Sequence, residues 1–197
     1  MISQFTFLLN QTLRDPREGA NTLLALGIPR EALWPMAILV VIIGALISGT
    51  GEVISPTQIE GMEGITVPSP WILALIQFGA LVISIFALFW MGRALDGQGS
   101  LDETILLMTW LQAVWLAGQM GVLVIAIVIP SLAVLLLIVF GLYMIWCMIV
   151  FIDVLHRLNS IGKAAMMLGL TVGAILLGMA VFLSLIGVGS TGGFANV

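Results

Sequence analysis

The sequence predicts an all-α membrane protein, a five-transmembrane-helix bundle with a short amphipathic N-terminal cytoplasmic arm. Two observations predict this fold class. Hydrophobic residues make up 61% of the 197 residues and charged residues 8%, whereas a soluble domain carries about 25% charged residues. The apolar residues also come in long uncharged runs, and about 20 apolar residues are enough for a helix to cross a bilayer.

Four uncharged runs supply the five spans. The runs at residues 31–51 and 68–92 hold one span each, and a C-terminal run holds the last. The run at residues 104–152 is too long for one crossing. Near its middle, Pro130 removes a backbone donor and disfavours a helical Ile129, which predicts two helices joined by a tight turn. The predicted spans are about residues 32–50, 70–91, 104–129, 132–152 and 164–186.

We assign residues 1–29 to the arm and residues 30–197 to the membrane domain. In the arm, apolar residues recur at helical spacing with polar residues between them. Asp15 and Pro16 then resemble an N-cap and a first helical position. We predict two short amphipathic helices, which either lie on the cytoplasmic leaflet or pack on the bundle. The sequence leaves both alternatives open.

The basic residues predict the orientation. All six fall on one side of a five-span arrangement, and the positive-inside rule makes that side cytoplasmic. We therefore expect a multi-pass protein of the cell (inner) membrane, with a cytoplasmic N-terminus and an outer C-terminus. These residues are Arg14, Arg17, Arg30, Arg93, Arg157 and Lys163.

The connection between the second and third spans is the most structured signal outside the membrane. Gly97 suits a helix C-terminus, and Ser100 with Glu103 predicts a capping box for the third span. Alternatively, Gly97 and Gly99 near Arg93 expose amides for a phosphate or a lipid head group. We favour the capped turn, because acidic residues at the start of the third span would repel an anion.

A second polar cluster lies at the cytoplasmic end of the fourth span, where Asp153 and His156 share a helical face. With nearby carboxylates they could bind a divalent metal, but a single His without a second His or Cys favours a solvated, ion-paired helix end. We predict no metal and no cofactor, and a contact surface formed by this end, the arm and the preceding connection. The candidate contact residues are Arg93, Asp96, Gly97, Gly99, Ser100, Asp153, His156 and Arg157.

Inside the membrane, no ionisable residue falls near the middle of any predicted span, which removes the usual chemistry of proton- or ion-coupled transporters. Gln112 and Gln119 share a face of the third span, and Gln77 lies in the second. These amides could line a polar path, but such groups more often form hydrogen bonds between helices. Gly169 and Gly173, four residues apart, also favour helix packing.

The sequence contains no catalytic motif of the metalloprotease, serine hydrolase or P-loop type and no paired intramembrane aspartates. We therefore predict that the protein is not an enzyme, and the sequence leaves a lipid-modifying enzyme as an open alternative. A net charge of −4 points to no nucleic-acid partner.

The chain resembles the bacterial branch of the Yip family, membrane proteins named for interacting with Ypt/Rab GTPases in eukaryotes. Residues 14–20 (RDPREGA), residues 89–100 (FWMGRALDGQGS) and the five-span plan carry the resemblance. It implies a non-enzymatic membrane organiser or adaptor that binds lipids, other membrane proteins or itself, and we carry over no GTPase-binding role. The alternative is a small transporter, channel or lipid-moving protein with a polar path lined by Gln77, Gln112 and Gln119.

Overall fold

A computed structural model describes residues 2–54 and 69–185, and all regular secondary structure within these ranges is helical. Five of the helices, α3 to α7, are long and apolar enough to cross a membrane. The predicted fold class is therefore confirmed. The loop at residues 55–68 and the tail from residue 186 lie outside the described residues. The helices are α1 Ile2–Arg14, α2 Pro16–Ala25, α3 Arg30–Ile54, α4 Pro70–Ala94, α5 Leu101–Val128, α6 Pro130–His156 and α7 Ile161–Leu185.

Most of the helices extend a few residues beyond the predicted spans, and at the start of α5 a polar cap is the reason. Helix α5 begins at Leu101, where the Ser100 side chain accepts from the Glu103 amide at 3.2 Å. The Glu103 carboxylate in turn accepts from the Ser100 amide at 2.7 Å, so the predicted capping box is present. Pro130 occupies the first turn of α6, where its missing N–H costs no helical hydrogen bond.

Helix α5 is the central element of the bundle, since it contacts α2, α3, α4 and α6. Its first turns are buried, including Leu107, Trp110 and Val114. Helix α7 lies at the periphery against α4 and α6. It buries Ala164, Met167 and Thr171 near its start, and from residue 172 to residue 185 all but one of its residues are exposed.

The N-terminal arm packs on the bundle, which is one of the two alternatives that the sequence left open. The indole N–H of Trp110 on α5 donates to the buried hydroxyl of Thr12 at 2.9 Å. The Tyr143 hydroxyl on α6 donates to the backbone carbonyl of Leu13 at 2.9 Å. Leu23 on α2 belongs to the core that α5 and α6 form.

The contacts of the arm reach far along its two partner helices. Trp110 lies nine residues from the start of α5 and Tyr143 thirteen residues from the end of α6, which places them about 14 and 20 Å along the helix axes. We call the end of the bundle that carries α1, α2 and the connections at residues 95–100 and 157–160 the arm end. All six basic residues of the chain lie in the arm or at this end.

Candidate functional site

Two parts of the molecule bring the predicted site residues together. One is the arm end, where the connection between α4 and α5 meets the last turn of α6. The other is a groove between α4, α5 and α6 at the depth of the apolar spans. In both parts, the surrounding helices determine which polar groups are buried and which are exposed.

Asp153 joins the arm to two helices of the bundle. Its carboxylate is buried and forms an ion pair with the guanidinium of Arg17 on α2, whose side chain is 47% exposed. The carboxylate also accepts from the backbone amide of Ser160 at 2.8 Å, just before α7 begins. One acidic side chain therefore holds α2, α6 and the start of α7 in place.

His156 is enclosed by one glycine at the end of α4 and two in the connection that follows it. A Cβ atom added at Gly92, Gly97 or Gly99 would lie 1.9, 2.7 or 2.9 Å from the ring or its own Cβ. The Gly99 amide donates to His156 Nδ1 at 3.3 Å, and the Gln98 amide donates to the His156 carbonyl at 3.3 Å. These three glycines are what allows the connection to close over the ring.

The hydrogen bond from Gly99 defines the state of the imidazole. Because Nδ1 accepts, the ring is neutral in this arrangement and carries its proton on Nε2. Nε2 is buried and has no acceptor at hydrogen-bonding geometry among the described residues, although the Leu88 backbone interacts with the ring electrostatically. His156 thus acts as an internal support for the connection.

Both helices that end here use a left-handed residue followed by a return hydrogen bond, the Schellman arrangement. At the end of α4, Asp96 has φ 59° and the Gly97 amide donates to the Gly92 carbonyl at 2.7 Å. At the end of α6, Arg157 is the left-handed residue. The sequence pointed to Gly97 as the terminating residue, but Asp96 takes the left-handed position and Gly97 instead makes room for His156.

The eight candidate contact residues separate into a surface and a layer beneath it. Arg93, Asp96, Ser100 and Arg157 are exposed, and Gly97 is half-buried. Gly99, Asp153 and His156 are buried. The solvated helix end expected around Asp153 and His156 is wrong in this respect, since each is 1% exposed, because the arm and the connection cover them.

The same geometry bears on the two ligand alternatives for the arm end. The amides of Gly97 and Gly99, which an anion would need, already donate to Gly92 and His156. In the described ranges, no group of three His, Cys, Asp or Glu side chains is arranged to hold a metal ion.

Two of the three intramembrane glutamines meet at the groove between α4, α5 and α6. Gln77 and Gln112 line a cavity of about 590 Å³, while Gln119 does not line it. The Gln77 Oε1 atom is buried without a hydrogen-bond partner among the described residues. Gly169 and Gly173 are exposed, and their Cβ positions meet nothing within 4 Å among the described residues.

Sequence reasoning missed the roles of Arg17 and Thr12, which lie more than 90 residues before their partners. No local pattern could have paired them. The position of Asp153 at the end of an apolar span was the one available signal, because a carboxylate that becomes buried there needs a cation.

Comparison with known proteins gives one match. The model of the Yip1 domain family matches residues 10–182, which include all of α2 and the five spans except the last residues of α7. No curated protein and no solved structure matches the chain.

Proposed function

Because the chain belongs to the Yip1 domain family, we propose that this multi-pass membrane protein is a non-enzymatic organiser or adaptor. Its contact surface for other membrane proteins is the arm end. One observation carries the proposal: the arm is fixed to the bundle by the half-buried Arg17–Asp153 ion pair and the Trp110–Thr12 hydrogen bond. A surface that is already ordered loses less conformational entropy on binding.

The exposed groups of the arm end suit a partner at the membrane surface. Arg93, Asp96 and Arg157 offer charges of both signs, while Phe5 and Phe7 of α1 expose 41% and 63% of their surface. Since every basic residue lies in the arm or at this end, the positive-inside rule assigns it to the cytoplasm. The partner would then meet the surface from the cytoplasmic side of the inner membrane.

The alternative, a transporter or channel with a path along Gln77, Gln112 and Gln119, has less support. Gln119 lies outside the cavity that the other two residues line. A conducting path would need polar groups from one end of the bundle to the other.

Site-specific photocross-linking tests the proposal. A photoreactive amino acid at Asp96 or Arg157 is expected to cross-link one discrete protein partner in native membranes, and Arg157→Glu should weaken the cross-link formed from position 96. Leu142 and Leu176, exposed on the apolar surface of α6 and α7, serve as control positions. If the arm-end positions cross-link no protein beyond what the controls capture, the adaptor role is refuted.

A further inference from the structure

The groove between α4, α5 and α6 is a built cavity that the adaptor role does not use. Its floor is the outer face of α5, with Met108, Gln112 and Trp115, and its walls come from α4 and α6. It holds about 590 Å³, which is within the range of about 300–1,000 Å³ typical of ligand sites. The residues that line it carry no charge.

The groove is open toward the surrounding bilayer. Helices α4 and α6 both pack on α5, and α7 contacts both of them. However, α7 buries residues only near its start, and from Val172 to Leu185 all of its residues except Ile175 are exposed. Leu142 and Ile145 at the rim of the groove are exposed. An occupant therefore enters sideways from the hydrocarbon phase and must be soluble there.

Polar groups face this apolar space at the depth of the spans. Gln112 lies eleven residues into α5 and Ser84 ten residues before the end of α4, which places both about 15–17 Å from the arm end. Gln112 is half-buried and has no hydrogen-bond partner among the described residues. An amide without a partner in hydrocarbon is costly, so these groups call for a polar occupant.

The donors and acceptors on offer restrict the chemistry of that occupant. Gln112 presents both an N–H₂ donor and a carbonyl acceptor. Because the Oε1 atom of Gln77 is buried, Gln77 can contribute only its N–H₂ donor. The Ser84 hydroxyl donates to the Ala80 carbonyl at 2.7 Å and so retains an acceptor. An occupant with both hydroxyl and carbonyl groups can satisfy this set, whereas a quinone offers acceptors alone. The uncharged lining provides no partner for a phosphate.

From these observations we propose that the groove binds a neutral lipid of the diacylglycerol class. One acyl chain lies along the apolar wall, the ester carbonyls accept from the glutamine amides, and the free hydroxyl donates to an amide carbonyl. Met108, Met144 and Met148 line the groove, and their flexible side chains can adapt to chains of different length. This site is separate from the arm end, so either proposal can fail without the other.

Photolabelling with a lipid probe tests this inference. The full chain is placed in phosphatidylcholine nanodiscs with a trace of photoreactive diacylglycerol, and labelled peptides are mapped by mass spectrometry. We expect labels on α4, α5 and α6 at the groove. Gln112→Leu should reduce labelling about 5- to 10-fold, the effect of losing about one hydrogen bond. Gln119→Leu, the same change on the same helix outside the groove, should leave labelling unchanged.

A second variant keeps the test decisive if Gln112→Leu folds poorly. Gly141 lines the groove and its Cβ position meets nothing within 4 Å among the described residues, so the Gly141→Leu side chain starts in open space, occupies part of the cavity and should also reduce labelling. Unchanged labelling in Gly141→Leu, or in a folded Gln112→Leu protein, would overturn the proposal. Equal labelling of the wild type by photoreactive phosphatidylglycerol or by a prenyl quinone probe would overturn it too.

Discussion

At the scale of single residues, the glycines around His156 make room for its imidazole ring because they have no side chains. Gly92 ends a turn of α4, and its missing Cβ leaves the space that the imidazole fills. Composition could not reveal this use, because a glycine in an apolar run also suits helix packing or a helix end. The capping box at Ser100 was predictable, since it depends on residues three positions apart.

Replacing Gly92 by alanine is expected to destabilise the protein by about 1–3 kcal/mol, the usual cost of overpacking a buried contact. The new methyl group would lie 1.9 Å from His156 Cε1, and the closed connection gives the ring little room to move. The thermal unfolding of the purified protein in detergent, followed by circular dichroism, measures the change.

Gly79 on the same helix provides the matched control. Its Cβ position meets nothing within 4 Å among the described residues, so Gly79→Ala should be neutral or stabilising by up to about 1 kcal/mol. Equal midpoints for the two variants would mean that the glycine enclosure of His156 carries no energetic weight.

At the scale of elements, hydropathy predicts the membrane spans, whereas the position of the arm depends on tertiary contacts. The five spans follow from uncharged runs, and Pro130 correctly divided the longest run into α5 and α6. The packing position of the arm could not be predicted from hydropathy, because amphipathic spacing fits a lipid surface as well as a helix surface. The hydrogen bonds to Trp110 and Tyr143 that hold the arm on the bundle connect positions about 100 residues or more apart.

The ion pair between α2 and α6 predicts an asymmetric response to substitution. Arg17→Met leaves the buried carboxylate of Asp153 without its cation and should cost about 2 kcal/mol, less than for a fully buried pair because Arg17 is 47% exposed. Asp153→Asn leaves a guanidinium that water can reach, so it should cost less. Hydrogen exchange of α1 and α2 should rise most in Arg17→Met.

Arg14→Met is the control for the loss of an arginine from the arm. Arg14 is exposed and forms no ion pair within the described part of the chain, so its replacement should change stability by less than about 0.5 kcal/mol. If Arg14→Met loosens the arm as much as Arg17→Met does, general charge and not the pair with Asp153 holds the arm.

At the scale of the whole molecule, the two ends of the bundle differ, since the basic residues lie in the arm or at the arm end. Helices α5 and α6 have 28 and 27 residues, about 42 and 40 Å, which exceeds a hydrocarbon core of about 30 Å. The excess has room at the arm end, where the amphipathic arm packs against the two helices. The number of spans and the grouping of basic residues were predictable, whereas the groove was not, because it depends on where α7 leaves α4 and α6 uncovered.

The orientation is testable in intact cells. Alkaline phosphatase fused after Val197 should be active, and green fluorescent protein fused there should be dark, because both report an outer C-terminus. A cysteine placed at Gln98 in a Cys147→Ala background should react with a maleimide that crosses the membrane and resist one that does not. The reverse pattern in both assays would invert the assigned topology.

The distant ion pair of the arm also sets an order of events during synthesis. Arg17 and Asp153 are 136 residues apart, so at about 5–20 residues per second the ribosome needs about 7–27 s to make the second after the first. During that interval the arm lacks its ion pair with Asp153. Helix α1 is amphipathic and is therefore suited to bind at the lipid surface before that ion pair forms. In the folded protein it still exposes Phe5, Phe7 and Leu13.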